Sequence, residues 1–310
     1  MSYVKKDLIS TKDLSKDDIF SILSLAKDYK ALNLEPVKKD PILKGVTVVN
    51  AFFENSTRTR TSFEIAAKRL GADAINFSSS TSSTNKGETL IDTIHNIEAM
   101  KTDIFIVRHY SSGAAKFVTK NTPSCVVNAG DGCNEHPTQA LLDLLTIYDA
   151  KGSFSGLSVT IIGDIFHSRV ARSNIYAMQT LGIKVKLFGP PMFMQNAEVF
   201  GCHICKDMDE AVMGSDAIIM LRIQLERSDG EVAFPSIREY SKYFGLTKTR
   251  MQKAKDDVII LHPGPINRGV EINSDVADDA RFSSILDQVE NGVAIRMAVL
   301  KTIYQNKFKA

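Results

Sequence analysis

The stretch "FFENSTRTRTSFE", Phe52 to Glu64, places hydroxyl and guanidinium donors at a strand-to-helix corner. It follows the apolar run "GVTVVNAFF" and opens a helical period in which Phe63, Ala66, Ala67 and Leu70 fall at i, i+3, i+4 and i+7. Gly71 ends that period. A helix start presents free N–H groups and the positive end of the helix dipole, which suits an anion. Ser56, Thr57 and Thr59 add hydroxyls, and Arg58 adds a planar fork matched to phosphate. A well-capped helix with solvated arginines is the plainer reading, but this density of donors favours a phosphate cradle built from side chains.

Further candidates sit at comparable corners. In "GDGCNEHPTQALLDLL", His136 and Gln139 lie three residues apart at a helix start, where imidazole can donate to a carbonyl oxygen and the amide can read an amide-like group. Taken alone, His136 as a helix cap and Gln139 as a surface residue is the simpler account. "IFIVRHYSSG" puts Arg108 just past a strand at 103–107. "GDIFHSRVARSN" supplies Arg169, and "IIMLRIQLER" supplies Arg222 and Gln224. "LHPGPINRGVEI" is a proline-stiffened loop offering the backbone carbonyls of Gly264 and Pro265. Each arginine alone is an ordinary solvated charge. Several at the carboxyl ends of parallel strands read better as the lining of an anion-binding interdomain cleft.

The elements that must hold these groups alternate. Strands are expected at 45–53, 73–77, 103–107 and 124–128, with helices at 58–70, 88–100 and 111–120 and another opening at Pro137. "KGSFSG", 151–156, is a linker candidate, after which "LSVTIIG", "IKVKLFG", "DAIIML" and "DVIILH" read as strands. The pattern is α/β: two doubly wound parallel-sheet domains of similar size, joined by interdomain helices. Residues 1–150 form the first domain and 151–289 the second, with a C-terminal helix over 290–310 expected to pack back on the first. "SSSTSSTNKG", 78–87, is a polar loop of the length seen in binding loops at strand ends.

Other chemistries are disfavoured. "IIGDIFHSR" lacks the later glycines of a dinucleotide fingerprint. Cys202 and Cys205 form a lone C-x-x-C without a second pair, better read as two small apolar residues in a short buried strand than as a metal or redox site. The net charge of +2 gives no bulk attraction to nucleic acid or an anionic membrane. No apolar run approaches the roughly 20 residues of a membrane helix, and the N-terminus has no signal core, so a cytoplasmic protein is expected.

Taken together, "FFENSTRTRTSFE", "KGETLIDT", "VRH", "GDGCNEHPTQALLDL", "GDIFHSRVARSN", "MLRIQLER" and "HPGPINRGVEI" resemble the catalytic chains of aspartate carbamoyltransferases, in the family's order and across nearly the whole chain. "STRTR" and "HP-x-Q" mark carbamoyltransferases in general. Glu54, the Lys-Gly-Glu at 86–88, and "HPGP" with "RIQ-x-ER" point to aspartate rather than ornithine. The resemblance implies transfer of the carbamoyl group of carbamoyl phosphate to L-aspartate, the committed step of pyrimidine synthesis, with no metal or organic cofactor. It implies that Ser56, Thr57, Arg58, Thr59 and Arg108 hold the phosphate, and that Thr59, Arg108 and His136 donate to the carbonyl oxygen. Gln139 and the carbonyls of Gly264 and Pro265 would take the carbamoyl NH2, while Arg169, Arg222 and Gln224 would hold the aspartate carboxylates. Ser82 and Lys86 would enter from the neighbouring subunit of a homotrimer, Lys86 also reaching aspartate. A regulatory chain or a dihydroorotase-type partner is left open, although the form "HPGPINRGVEI" resembles chains outside the regulatory-subunit type.

The nearest rival is a carbamoyltransferase for ornithine or another amine. Two arginines offered to the second substrate favour a dicarboxylate over a cation. A non-catalytic phosphate-binding paralogue would be expected to have lost Lys86, His136 or the arginines, all of which are present.

Overall fold

The computed structural model describes residues 5–78, 88–223 and 236–307. The chain divides into two compact units, Met1–Leu142 with Glu290–Ala310, and Asp143–Val289.

The first unit holds strands β1 (Thr47–Phe52), β2 (Asp73–Ser78), β3 (Ile104–His109) and β4 (Cys125–Asp131). They form a parallel sheet in the order β2-β1-β3-β4. Helices α1 (Lys16–Leu32), α2 (Thr57–Arg69), α3 (Leu90–Ala99) and α4 (Ala114–Thr119) belong to this unit, and α5 (Pro137–Lys151) begins in it. The chain leaves β1 for β2 on one side and then crosses to β3 on the other, so the sheet's switch point lies between β1 and β3. Parallel strands covered on both faces must be apolar almost throughout. Val49, Ala51, Phe105, Val107 and Val126 meet Ile94, Ala115 and Val118 in one buried cluster. The helical stripe expected from sequence is the buried face of α2, with Phe63, Ala66, Ala67 and Leu70 all inaccessible to solvent. Gly71 follows at φ +84°, a left-handed turn that glycine adopts without strain.

The second unit holds β5 (Ser158–Ile162), α6 (Arg169–Thr180), β6 (Lys184–Phe188), β7 (His203–Ile204), α7 (Met208–Val212) and β8 (Ala217–Met220). After them come α8 (Ile237–Phe244), α9 (Lys248–Met251), β9 (Ile259–Leu261) and α10 (Ser274–Ala277). Its parallel sheet runs β7-β6-β5-β8-β9, with the switch point between β5 and β8. The last helix, α11 (Ile285–Lys307), starts in this unit and ends in the first. There the Cys125 thiol donates to the Ile303 carbonyl at 3.7 Å, Lys307 lies 3.7 Å from Asp103, and the Arg296 guanidinium sits 4.9 Å over the Phe63 ring.

Three expectations need correction. Arg108 is inside β3 rather than past it, because Phe53 N–H donates to the Arg108 carbonyl at 2.8 Å and prolongs the ladder. The strand expected to stop at 128 runs to Asp131, through a register irregularity against β3 between Val107 and His109. The C-x-x-C does not lie in a buried strand: β7 is an exposed edge, and of the two cysteines only Cys205 is buried. Burial pushes the Cys205 thiol up to about 11.

The ends of β5 and β6 approach through two glycines. Gly163 N–H donates to the Phe188 carbonyl at 2.9 Å, and a Cβ on Gly189 would lie 2.2 Å from the Gly163 oxygen. Backbone cannot yield as a side-chain tip does. Gly189→Ala is therefore expected to lower stability by about 1–3 kcal/mol, seen as a lower denaturant midpoint at unchanged slope.

Candidate functional site

In the first unit, β1 delivers the chain into the start of α2. Ser56 occupies the N-cap position in extended conformation, yet its side chain makes no capping hydrogen bond, and no acid lies in the first turn. The contrast with neighbouring helices is chemical. Ser15 and Thr89 form full capping boxes on α1 and α3, each with an aspartate at the third helical position. In α2 the corresponding places carry Thr57, Arg58 and Thr59, so its dipole end faces hydroxyl and guanidinium donors instead of a carboxylate. Thr59 is buried.

Arg108 lies next to this corner because its Cα pairs with Phe52 across the β1–β3 ladder. Its Nη1 donates to the Ala129 carbonyl at 3.3 Å. Its Nε lies 3.6 Å from the Glu54 carboxylate, with both side chains largely buried. Glu54, singled out in the sequence only by resemblance, thus has a physical partner: it pairs with the guanidinium beside the start of α2.

β4 carries the chain to His136, which opens α5. The His136 carbonyl accepts from Gln139 N–H at 2.9 Å, so this residue caps the helix through its backbone. Its imidazole and the Gln139 side chain are both buried, which removes the reading of Gln139 as a surface residue. The loop before them is fixed by carboxylates that sequence reasoning did not pick out. Asp131 accepts from Gly113 N–H at 2.7 Å, Asn128 Nδ2 at 2.8 Å and Glu135 N–H at 3.2 Å. Glu135, itself buried, accepts from the Ser10 hydroxyl and from Thr11 N–H and hydroxyl at 2.8 and 2.7 Å. The available signal was two asparagines and two acids crowded into "VVNAGDGCNEHP" directly after the apolar strand.

In the second unit Arg169 is the first residue of α6, beyond β5, and Arg222 lies two residues beyond β8. The two strands are neighbours, paired at Ile162 with Met220, so the arginines flank the switch point. Arg169 is buried. Ser168 caps α6 by accepting Ala171 N–H at 3.1 Å, and Asp164 accepts from the backbone and ring of His167 at about 3 Å. Burial raises the Asp164 carboxyl above the usual range against those hydrogen bonds.

Gly264 and Pro265 follow β9, joined by a cis peptide bond. Their loop is held by a buried pair, His262 Nε2 to Glu271 at 3.0 Å. Asn267 N–H donates to the same Glu271 oxygen at 2.6 Å, and Gly264 N–H donates to His262 Nδ1 at 2.8 Å. Behind them, His262 N–H donates to Gln288, which donates to Asp143, which also accepts from Asn174. Asn267 Nδ2 bonds the Ile223 carbonyl at 3.2 Å, tying this loop to the turn that carries Arg222. Ser82, Lys86 and Gln224 lie outside the described residues.

Fold and site together define a class: two parallel α/β units, each presenting arginines at the carboxyl edge of its sheet, one of them with a helix start rich in hydroxyl and guanidinium groups at its switch point. Family models agree in detail. The model "Aspartate/ornithine carbamoyltransferase, carbamoyl-P binding domain" matches residues 6–149, and "Aspartate/ornithine carbamoyltransferase, Asp/Orn binding domain" matches 155–303. The chain belongs to the aspartate/ornithine carbamoyltransferase family.

It is 73% identical over 307 residues to the aspartate carbamoyltransferase catalytic subunit of Campylobacter hominis, covering 99% of this chain and 100% of that one. Among solved structures it resembles the Trypanosoma cruzi aspartate transcarbamoylase in complex with carbamoyl phosphate and aspartate, with a TM-score of 0.85, 30% identity and 96% and 97% of the two chains covered. It also resembles the ornithine carbamoyltransferase of Pyrococcus furiosus, with a TM-score of 0.83, 30% identity and 97% of each chain covered. Among the described residues no helix is long and apolar enough to cross a membrane.

His109, beside Arg108, links this edge to pH. Its Nδ1 accepts from Ser111 N–H at 2.9 Å, which requires the neutral ring. Burial lowers it from its ordinary value of 6.5, against the pull of Asp131 and Glu54. The unfolded chain then binds the proton more readily than the folded one. Stability from this group is complete above about pH 6.5 and falls as pH drops towards the depressed folded value. Between about pH 7.5 and about pH 5, the denaturant midpoint of His109→Asn should therefore fall less than that of the parent.

Proposed function

We propose that the protein is an aspartate carbamoyltransferase. It transfers the carbamoyl group of carbamoyl phosphate to the amine of L-aspartate, giving N-carbamoyl-L-aspartate and phosphate, the committed step of pyrimidine synthesis. The observation that carries this reading is the α2 start, uncapped and free of acids, with Ser56, Thr57, Arg58 and Thr59 beside Arg108 at a sheet switch point. The 73% identical relative bearing the aspartate carbamoyltransferase name selects the second substrate.

In this reading Ser56, Thr57, Arg58, Thr59 and Arg108 hold the phosphate. Thr59, Arg108 and His136 donate to the carbonyl oxygen, while Gln139 and the Gly264 and Pro265 carbonyls accept from the carbamoyl NH2. Arg169, Arg222, Gln224 and Lys86 hold the aspartate carboxylates. The neutral amine nitrogen attacks the carbonyl carbon, negative charge builds on the carbonyl oxygen, and the bond from carbon to the phosphate oxygen breaks. The leaving phosphate keeps that electron pair and takes the amine proton. Clamping phosphate with fixed cations makes it a good leaving group, and holding both substrates supplies orientation. The protein works in the cytoplasm as a homotrimer, with Ser82 and Lys86 crossing to a neighbour's site. A regulatory chain or a dihydroorotase-type partner remains compatible with this reading.

Purified protein should form carbamoyl aspartate without added metal. Markedly better use of ornithine or another amine would overturn the substrate assignment, and absence of any carbamoyl transfer would favour a non-catalytic paralogue. Removing one preorganised donor to the carbonyl oxygen, as in His136→Ala, should lower kcat about 10²–10³-fold with the fold intact.

Shared sites make a separate prediction. Mixing inactive Lys86→Ala chains with inactive Arg58→Ala chains should restore part of the activity. No recovery after demonstrated subunit exchange would show that Lys86 acts within its own chain.

A further inference from the structure

A cluster at the edge of the second unit's sheet has no part in the proposed reaction. His203 and Cys205 come from β7 and the residue following it, and Glu210 comes from α7. One donor atom from each, an imidazole nitrogen, a thiol sulfur and a carboxylate oxygen, lies within 4.8 Å of the other two. His203 Nε2 is already 2.7 Å from Glu210 Oε1. We propose that His203, Cys205 and Glu210 bind a zinc-class divalent cation.

The neighbouring backbone pre-positions all three. β7 pairs with β6 through Lys186 with His203 and Leu187 with Ile204, and Cys205 N–H donates to the Leu187 carbonyl at 2.9 Å. Glu210 is oriented twice: its backbone N–H donates to Asp207 at 2.9 Å, and its Oε2 accepts from Lys206 N–H at 2.7 Å. Holding one carboxylate oxygen in this way leaves the other aimed at His203, the kind of outer support that metal-ligating carboxylates require.

Donor chemistry selects the ion. Thiolate with imidazole excludes magnesium and calcium, which take oxygen ligands, and suits zinc or its probe cobalt(II). Bond lengths near 2.0–2.3 Å in a tetrahedral site place donors roughly 3.3–3.7 Å apart. The present cluster reaches that range when the exposed His203 and half-buried Glu210 side chains turn towards the buried Cys205 sulfur, opening the His203–Glu210 contact. The His203–Glu210 hydrogen bond is exchanged for two metal bonds, the imidazole proton moves to Nδ1, and the thiol releases one proton to solvent. Cys205 also lines a cleft of about 810 Å³ whose wall includes Asp207 and Asp209, so water can complete the coordination from that side. Lys186 is the opposing charge. Its ammonium is held by the Glu210 and Met213 carbonyls at 3.0 and 2.8 Å and will weaken the site relative to one without it. The consequence of binding is a clamp between an exposed edge strand and α7.

Cobalt(II) titrated into the reduced, metal-stripped full-length protein tests this. The expected result is a thiolate-to-cobalt charge-transfer band with visible bands of four-coordinate intensity, saturating at one ion per chain. The band should be lost in Cys205→Ser and kept in Cys202→Ser. His203→Ala changes an exposed residue and so keeps the test clear of folding defects; it should abolish the band, and zinc should raise the thermal midpoint of the parent but not of this variant. Absence of a thiolate band in the parent, or a band that survives His203→Ala, would overturn the assignment.

Discussion

A carboxylate withdrawn from water must be filled with hydrogen bonds, and the carboxyl edges of both sheets depend on that rule. Asp131 and Glu135 in the first unit collect backbone and side-chain donors from segments far away in sequence. In the second, Asp143 gathers side-chain donors from Asn174 and Gln288, and one oxygen of Glu271 accepts from His262 and Asn267. None of these acids is needed to touch a substrate in the proposed reaction. They convert the loops between strands and helices into fixed backbone, and fixed backbone is what lets His136, Gly264 and Pro265 hold defined positions.

That rigidity matters because the edges concentrate cations. The start of α2 sets a dipole end, two threonine hydroxyls and Arg58 at one corner, with Arg108 on the next strand. Positive groups gathered in partly buried surroundings repel one another and lose solvation. A flexible corner would relax by turning the side chains outwards. The Glu54 carboxylate near Arg108 offsets part of the repulsion and restrains the guanidinium. In the proposed reaction an entering phosphate meets donors already in place, so little reorganisation is left for the chemical step.

The sequence exposed what local periodicity controls. The stripe Phe63, Ala66, Ala67 and Leu70 and the turn at Gly71 follow from spacing and glycine alone, and all appear as read. Arg108 was placed one step wrong because strand length here depends on a cross-strand bond from Phe53. The Asn128, Asp131 and Glu135 network was not read at all: the partners of Glu135 are Ser10 and Thr11, more than a hundred residues upstream. Cys205 was discounted because a lone C-x-x-C lacks a zinc-site partner pair. Its neighbours in space proved to be His203 and Glu210, the first inside the same motif and the second brought in by the turn into α7.

Backbone geometry does not choose between aspartate and ornithine. The chain matches an aspartate enzyme and an ornithine enzyme with TM-scores of 0.85 and 0.83 at the same 30% identity. The choice must rest on side chains, and charge balance says which. A dicarboxylate needs cations at the strand ends of the second unit, and Arg169 and Arg222 flank its switch point. A substrate with a cationic tail would need an acid there to replace its lost hydration. Asp164, a half-buried acid just beyond β5, is instead occupied by His167 and shifted towards its neutral form. The same fold thus serves either amine, and the balance of fixed charge at one sheet edge decides which substrate can afford to leave water.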